Sequence, residues 1–223
     1  MSQGKKLESI SLEEDTGPIL EQPMTLEAPE AHVEGLLGEN VGILATKAMA
    51  LEGFFRLLTM KMSFQEFMRE ILLIFTRSVR SEAGSILEMN YETDSIFFRA
   101  AVGHTSDKIV RFVIPMGQGV VGHVAESKQP LVVSDAEENR YHLKSIAKAV
   151  GFDVRNLIAI PLVIRGKVFG VIELLNRIGD ETYTATDIEL LTHLTQCASQ
   201  AIEIRLMLAS KRQNPESMEE NPE

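Results

Sequence analysis

Lys167-Val168-Phe169-Gly170-Val171-Ile172-Glu173-Leu174-Leu175-Asn176 is the stretch on which the fold turns. Rich in β-branched and aromatic residues and free of proline, it reads as a strand. A period of two places Phe169, Val171, Glu173 and Leu175 on one face, with Val168, Gly170, Ile172 and Leu174 on the other. Glu173 is the informative residue, because an unpaired buried carboxylate is expensive. Two readings follow from the residues: a structural bridge to Arg99 or Arg155, or a carboxylate that accepts hydrogen bonds from a bound ligand.

Working outward, Arg165-Gly166 is a tight turn joining this strand to another over Asn156 to Ile164. Further upstream, Ser85 to Asn90 and Ser95 to Val102 flank the hairpin turn Tyr91-Glu92-Thr93-Asp94. Short strands are expected at Arg111 to Pro115 and Pro130 to Val133, and a short helix at Tyr141 to Val150. Between them Gly117-Gln118-Gly119-Val120-Val121-Gly122-His123-Val124-Ala125 is a glycine-rich loop opening a helix. Strands joined by hairpins and bracketed by helices predict an α+β domain around an antiparallel sheet.

The bracketing helices carry seams. Val41, Leu44, Ala48, Leu51, Phe55, Leu58 and Met62 step by three and four, a heptad seam on one helical face. Ser63 and Glu66 form a capping-box pair that starts a second helix, closed by Ser81-Glu82-Ala83-Gly84. A last helix from about Thr186 to Ala209 repeats the seam at Leu190, Leu194, Cys197, Ala201, Ile204 and Leu208, with a separate stripe of Ile188, Leu191, Ala198 and Ile202. Two stripes mean two partners: either the helix lies between the sheet and the first helix of its own chain, or it shares a dimer seam. The dimer reading is preferred.

The 223 residues, 44% hydrophobic and 24% charged, suit one substantial domain. All but one unit of the net charge of −10 lies in the tails. Residues 1–39 hold nine carboxylates against Lys5 and Lys6, and 211–223 hold four against Lys211 and Arg212. Both tails read as disordered. The organisation expected is therefore a disordered acidic tail at 1–39, a dimerisation helix at 40–62, a folded α+β domain at 63–209 and a disordered tail at 210–223. The middle of the chain has no basic surplus for nucleic acid, and no run is long and apolar enough for a membrane span. The lone cysteine, Cys197, suits a reducing compartment, so the expected location is cytoplasmic.

In order and spacing, Ile114-Pro115, the glycine-rich segment, Ser134-Asp135-Ala136, Gly151-Phe152, Arg155 to Leu162 and Phe169 to Arg177 resemble the GAF domain family. The resemblance covers about Ser63 to Ala209. It implies a central antiparallel sheet of about six strands, terminal helices packed on one face, and a small-molecule pocket closed over the other. It also implies a regulatory, non-enzymatic role, with Glu173 lining the pocket as in cyclic-nucleotide-binding GAF domains. The GAF domains of cyclic-nucleotide phosphodiesterases and some bacterial cyclases carry a supporting pattern of Asn-Lys, a spacer, Phe, then Asp-Glu. Asn176 and Asp187 match it, Arg177 and Tyr183 are conservative, and Ile188 departs from it. An Arg177–Asp187 bridge would hold the last strand to the last helix. Alternatively, Thr184 and Asp187 simply form a capping box.

The pocket expected on this basis involves Glu173, Arg99, Val120, Val121, His123, Ala147 and Val154. The backbone amides of Val120 and Val121 suit a phosphate at a helix start. His123 reads either as facing a ligand or as lining the helix. Where a cyclic nucleotide would meet an aromatic and a carboxylate on the second strand, the chain has Ala100 and Ala101. The covering helix offers Leu143, Ala147, Val150 and Val154. A cyclic nucleotide is thus the ligand the resemblance suggests, and the apolar lining counts against it. No catalytic or metal residues are expected: Cys197 reads as a small core residue, and His32, His104, His123, His142 and His193 are scattered. With no attached output domain, the signal is expected to pass from a homodimer to a separate effector protein; the alternative is a dimeric scaffold with a ligand-free pocket.

Overall fold

The computed structural model describes residues 30–139, 144–179 and 182–213. The chain divides into units 1–38 and 39–223, and of the first only the helical stretch from Glu30 to Gly38 is described. The second unit holds a six-stranded antiparallel sheet in the order β3-β2-β1-β6-β5-β4. Its strands are β1 (Ser81–Asn90), β2 (Ser95–Val102), β3 (Val113–Pro115), β4 (Leu131–Val133), β5 (Leu157–Ile164) and β6 (Lys167–Arg177). The expected fold class is therefore present, with the β5–β6 hairpin beside β1 at the centre.

Long helices pack on one sheet face: α1 (Glu30–Thr59), α2 (Phe64–Ser78) and α6 (Ala185–Gln213). The capping box of α2 forms, with Glu66 N donating to Ser63 Oγ at 3.2 Å and Ser63 N donating to Glu66 Oε2 at 2.7 Å. Phe67, Ile71, Leu72 and Phe75 project from α2 into this core and are wholly buried. Ala50, Phe54 and Leu57 of α1 join it, with the Phe54 and Phe75 rings 6.3 Å apart. Short helices α3 (Ser106–Ile109), α4 (Gly119–Ser127) and α5 (Lys144–Val150) cover the other face.

The boundaries differ from expectation in instructive ways. α1 runs from Glu30 to Thr59 rather than over 40–62, so residues 30–39 are helical and Met62 lies past the helix end. Glu30, Ala31, Glu34, Leu36 and Leu37 are good helix formers, and they extend the periodic segment backward despite Gly35 and Gly38. Helix α6 likewise continues to Gln213. The expected tails at 1–29 and 214–223 lie outside the described residues. Ser81 to Gly84 is the start of β1 and not a helix-closing turn, because it pairs with Arg177, Leu175 and Leu174 of β6.

Two one-residue bulges overturn the simple alternation. Ile86 faces Ala100 but Leu87 faces Phe98, which leaves Arg99 as the extra residue of β2. Leu162 faces Gly170 but Val163 faces Val168, which leaves Phe169 as the extra residue of β6. Phe169 therefore packs with the long helices while Val168 joins the opposite core, the reverse of the expected assignment.

The seams separate into two fates. On α1, Val41, Leu44, Ala48, Leu51 and Phe55 are exposed and Leu58 is partly buried. On α6, Leu190, Leu194 and Ala201 are buried in the chain's own core, with Cys197 packed against it, while Ile204 and Leu208 are exposed. The α6 seam is thus a correction over most of its length: a heptad period serves an intrachain neighbour as well as a partner chain.

Candidate functional site

A cavity open to solvent at its mouth lies between the sheet and α3, α4 and α5. Its floor is built from Ser85 on β1, Phe98 and Ala101 on β2, and Glu173 on β6. Val120 and Val121 of α4, with Ala147 and Val150 of α5, roof it, and Phe152 and Val154 close a side. α4 reaches this position because residue 122 is glycine. A Cβ there would stand 2.3 Å from the Gly117 carbonyl carbon, so any side chain would push the helix off its loop. Val120 and Val121 sit in the first turn of α4, where backbone N–H groups have no intrahelical acceptor.

Glu173 stands between Ser85 and Ala159 in the register of the sheet. Among the described residues, its carboxylate receives no hydrogen bond and no ion pair. It remains partly accessible, and as a lining residue it meets the cavity. Burial among apolar groups pushes its pKa up to about 7.

Neither arginine offered as its partner reaches it. Arg99 Nε donates to Glu88 Oε2 at 2.6 Å, and its guanidinium lies over the Phe97 and Phe64 rings at 4.7 and 5.8 Å. The bulge at Arg99 turns this side chain toward α2, so Arg99 is not a pocket residue. Arg155 pairs with Glu82 at 3.3 Å. His123 lies on α4 outside the cavity lining, while Val120, Val121, Ala147 and Val154 are part of that lining. Leu143 lies outside the described residues.

The supporting residues converge at the foot of β6. Asn176 is fully buried with φ of 56°, a left-handed conformation that asparagine tolerates. Its Oδ1 accepts from Arg155 N at 2.8 Å, and its Nδ2 donates to Asp153 O at 2.8 Å and to Glu82 Oε2 at 3.1 Å. Asn176 thereby clamps the segment that carries Val154 into the cavity wall. Arg177 Nε is 3.1 Å from Asp187 Oδ2, and Arg177 Nη1 donates to Val79 O at 2.9 Å. The same Oδ2 accepts from Thr184 N at 2.8 Å, so bridge and helix cap coexist. The Tyr183 hydroxyl and Ser81 Oγ are 2.8 Å apart, and burial pushes the phenol's pKa up.

Sequence reasoning missed Phe98, Ser85, Thr105, Ser106, Ile109 and Phe152 in the lining. Phe98 shows why. The second strand does supply an aromatic ring, but the bulge puts it three residues before Ala101 on the same face, while Ala100 belongs to the other core. Among the described residues, no three or more His, Cys, Asp or Glu side chains are grouped to hold a metal, and no helix is long and apolar enough to cross a membrane.

The chain is 30% identical over 93 residues to the cone cGMP-specific 3',5'-cyclic phosphodiesterase subunit alpha' of Mus musculus, which covers 42% of this chain and 11% of that protein. It is 28% identical over 102 residues to the rod cGMP-specific 3',5'-cyclic phosphodiesterase subunit alpha of Bos taurus, covering 46% and 11%. The chain thus spans about a tenth of these relatives' length. The fold is similar to the GAF domain of a phosphoenolpyruvate-protein phosphotransferase from Coxiella burnetii, with TM-score 0.60 and 14% identity over 77% of this chain and 97% of that one. It is also similar to a free methionine-R-sulfoxide reductase from Neisseria meningitidis, with TM-score 0.57 and 16% identity over 73% and 93%. A family model described as the GAF domain matches residues 61–203, well over half of the sequence, and the chain belongs to the GAF domain family.

Proposed function

We propose that this chain is a non-catalytic regulatory GAF domain of the cytoplasm. It takes a small ligand in the cavity over Glu173, pairs with a second copy through α1 and passes the signal to a separate effector protein. The observation that carries this reading is the cavity itself, a largely apolar space with an unpartnered carboxylate in its floor. Small-molecule sites have this character, mostly apolar with a few placed polar groups.

The non-catalytic part rests on Cys197. A thiol of the kind that attacks a sulfoxide belongs in the pocket, whereas Cys197 packs against the helix-side core. The dimer rests on α1, where Val41, Leu44 and Phe55 are 67%, 71% and 63% exposed along a heptad stripe. Such a stripe is self-complementary in a parallel pair of helices.

Calorimetric and thermal-shift titration with cyclic AMP, cyclic GMP and cyclic di-GMP tests the ligand half, since the named phosphodiesterase relatives make nucleotides the first compounds to try. A ligand at 100 times its dissociation constant raises stability by about 2.7 kcal/mol. Silence at millimolar concentration excludes these nucleotides. The apolar roof of Ala147, Val150 and Val154 favours a second reading, a dimeric scaffold with a ligand-free pocket. Light scattering of Leu51→Glu serves both readings: a dimer that becomes monomer supports the seam, and an unchanged mass excludes it.

A further inference from the structure

Resting on the reading of this cavity as a ligand site, we infer that its ligand is a small apolar-bodied monocation of the amidinium type, whose charged end pairs with Glu173. Glu173 is the only charged residue among the described cavity lining. Each arginine on the neighbouring strands and loop is already committed elsewhere: Arg99 to Glu88, Arg155 to Glu82, Arg177 to Asp187. A carboxylate held among apolar groups without a counter-charge is a standing deficit, and a ligand cation is a group that removes it.

The rest of the lining agrees. Ser85 lies opposite Glu173 across the β1–β6 pair, and its buried side chain forms no hydrogen bond among the described residues. It offers a second acceptor beside the carboxylate, matching a planar cation with several N–H donors. Phe98 and Phe152 supply aromatic surface for the body of the ligand, and aromatic rings also attract cations. An anionic ligand would meet the one ionisable lining group at like charge, with only the amides of Val120 and Val121 in its favour.

The other cavity-lining groups on the covering elements are neutral, among them Ser85 on β1, Ala101 on β2, Ser106 on α3, Val121 on α4 and Ala147 on α5. Asp107 and Lys108 on α3, Glu126 on α4 and Lys148 on α5 are exposed, and His123 is outside the lining. The side chain of Lys144 lies outside the described residues. His104 stands with its ring 5.1 Å from that of Phe152, so the Glu173→Gln variant is what assigns a pH response near neutrality to the carboxylate.

The test is isothermal titration calorimetry of the full chain with benzamidine, its neutral isostere benzamide, its anionic isostere benzoate, and cyclic AMP and cyclic GMP. Benzamidine is expected to bind most tightly, by about tenfold at pH 8 over both isosteres. Its affinity is expected to rise by about tenfold from pH 6 to pH 8 as Glu173 ionises, and Glu173→Gln is expected to erase both effects. Preferred binding of benzoate or a cyclic nucleotide overturns the cation while leaving the ligand site standing. Benzamidine binding unchanged in Glu173→Gln also overturns it. Silence of every probe overturns the ligand site as well. The wild-type isostere series needs no variant to fold.

Discussion

On the sheet face beneath α2 and α6, Phe67, Ile71, Leu72, Phe75 and Leu191 are wholly buried and interlock without a charged group. On the opposite face of the same strands, Glu173 and Ser85 look into a cavity roofed by short helices. β6 contributes to both, with Ile172 and Leu174 to the packed face and Glu173 and Leu175 to the hollow one. The contrast shows how a sheet divides its labour. Alternating side chains let one face carry stability while the other keeps space and an uncompensated charge.

The largest effect that could break this comparison is on the packed face. Phe75→Ala is expected to lose about 3–5 kcal/mol in denaturant unfolding. Phe98→Ala, beside the cavity, is expected to lose less than half of that, because less close packing surrounds the ring. Equal losses would mean the two faces are packed alike.

Next in size is Glu173→Gln, expected to stabilise the protein by roughly 3 kcal/mol at pH 8. The sign follows from a folded pKa of about 7 against an ordinary value of 4.5. The folded state holds the proton more tightly, so wild-type stability falls as pH rises from 4.5 to 7 and stays low above it. The advantage of the glutamine is therefore full above pH 7 and gone below 4.5, as parallel unfolding curves would read out. Asp187→Ala comes third, with a loss of about 1–2 kcal/mol from a helix cap and an ion pair together. A double-mutant cycle with Arg177→Met would show coupling above about 0.5 kcal/mol if the two share one network. Smallest is Leu51→Glu, expected to change the stability of the isolated chain by under about 0.5 kcal/mol while altering its mass in solution.

The β5–β6 hairpin was legible because its signal is local. Arg165 and Gly166 both have positive φ, as a two-residue hairpin turn requires, and predominantly apolar runs flank them. The capping boxes at Ser63 and Thr184 were legible for the same reason. Glu173 stood out because a carboxylate within an apolar strand demands an explanation, although the residues alone left a bridge to Arg99 or Arg155 as open as a place in the pocket. Arg99 was misplaced because a bulge shifts every later side chain by one face, and nothing within Phe97-Phe98-Arg99-Ala100 marks it. The Leu190 to Ala201 seam was misread because a helix spaces its apolar residues alike for its own sheet and for a second chain. α3 escaped notice because four residues are too few to show a period.

The central claim is that Glu173 is a desolvated, unpartnered carboxylate awaiting a ligand. The most direct measurement is an NMR titration of its side-chain carboxyl carbon in the free protein and with saturating benzamidine. The account predicts a midpoint near 7 in the free protein, falling when the cation binds. A free-protein midpoint near the ordinary 4.5, unmoved by the ligand, would contradict it.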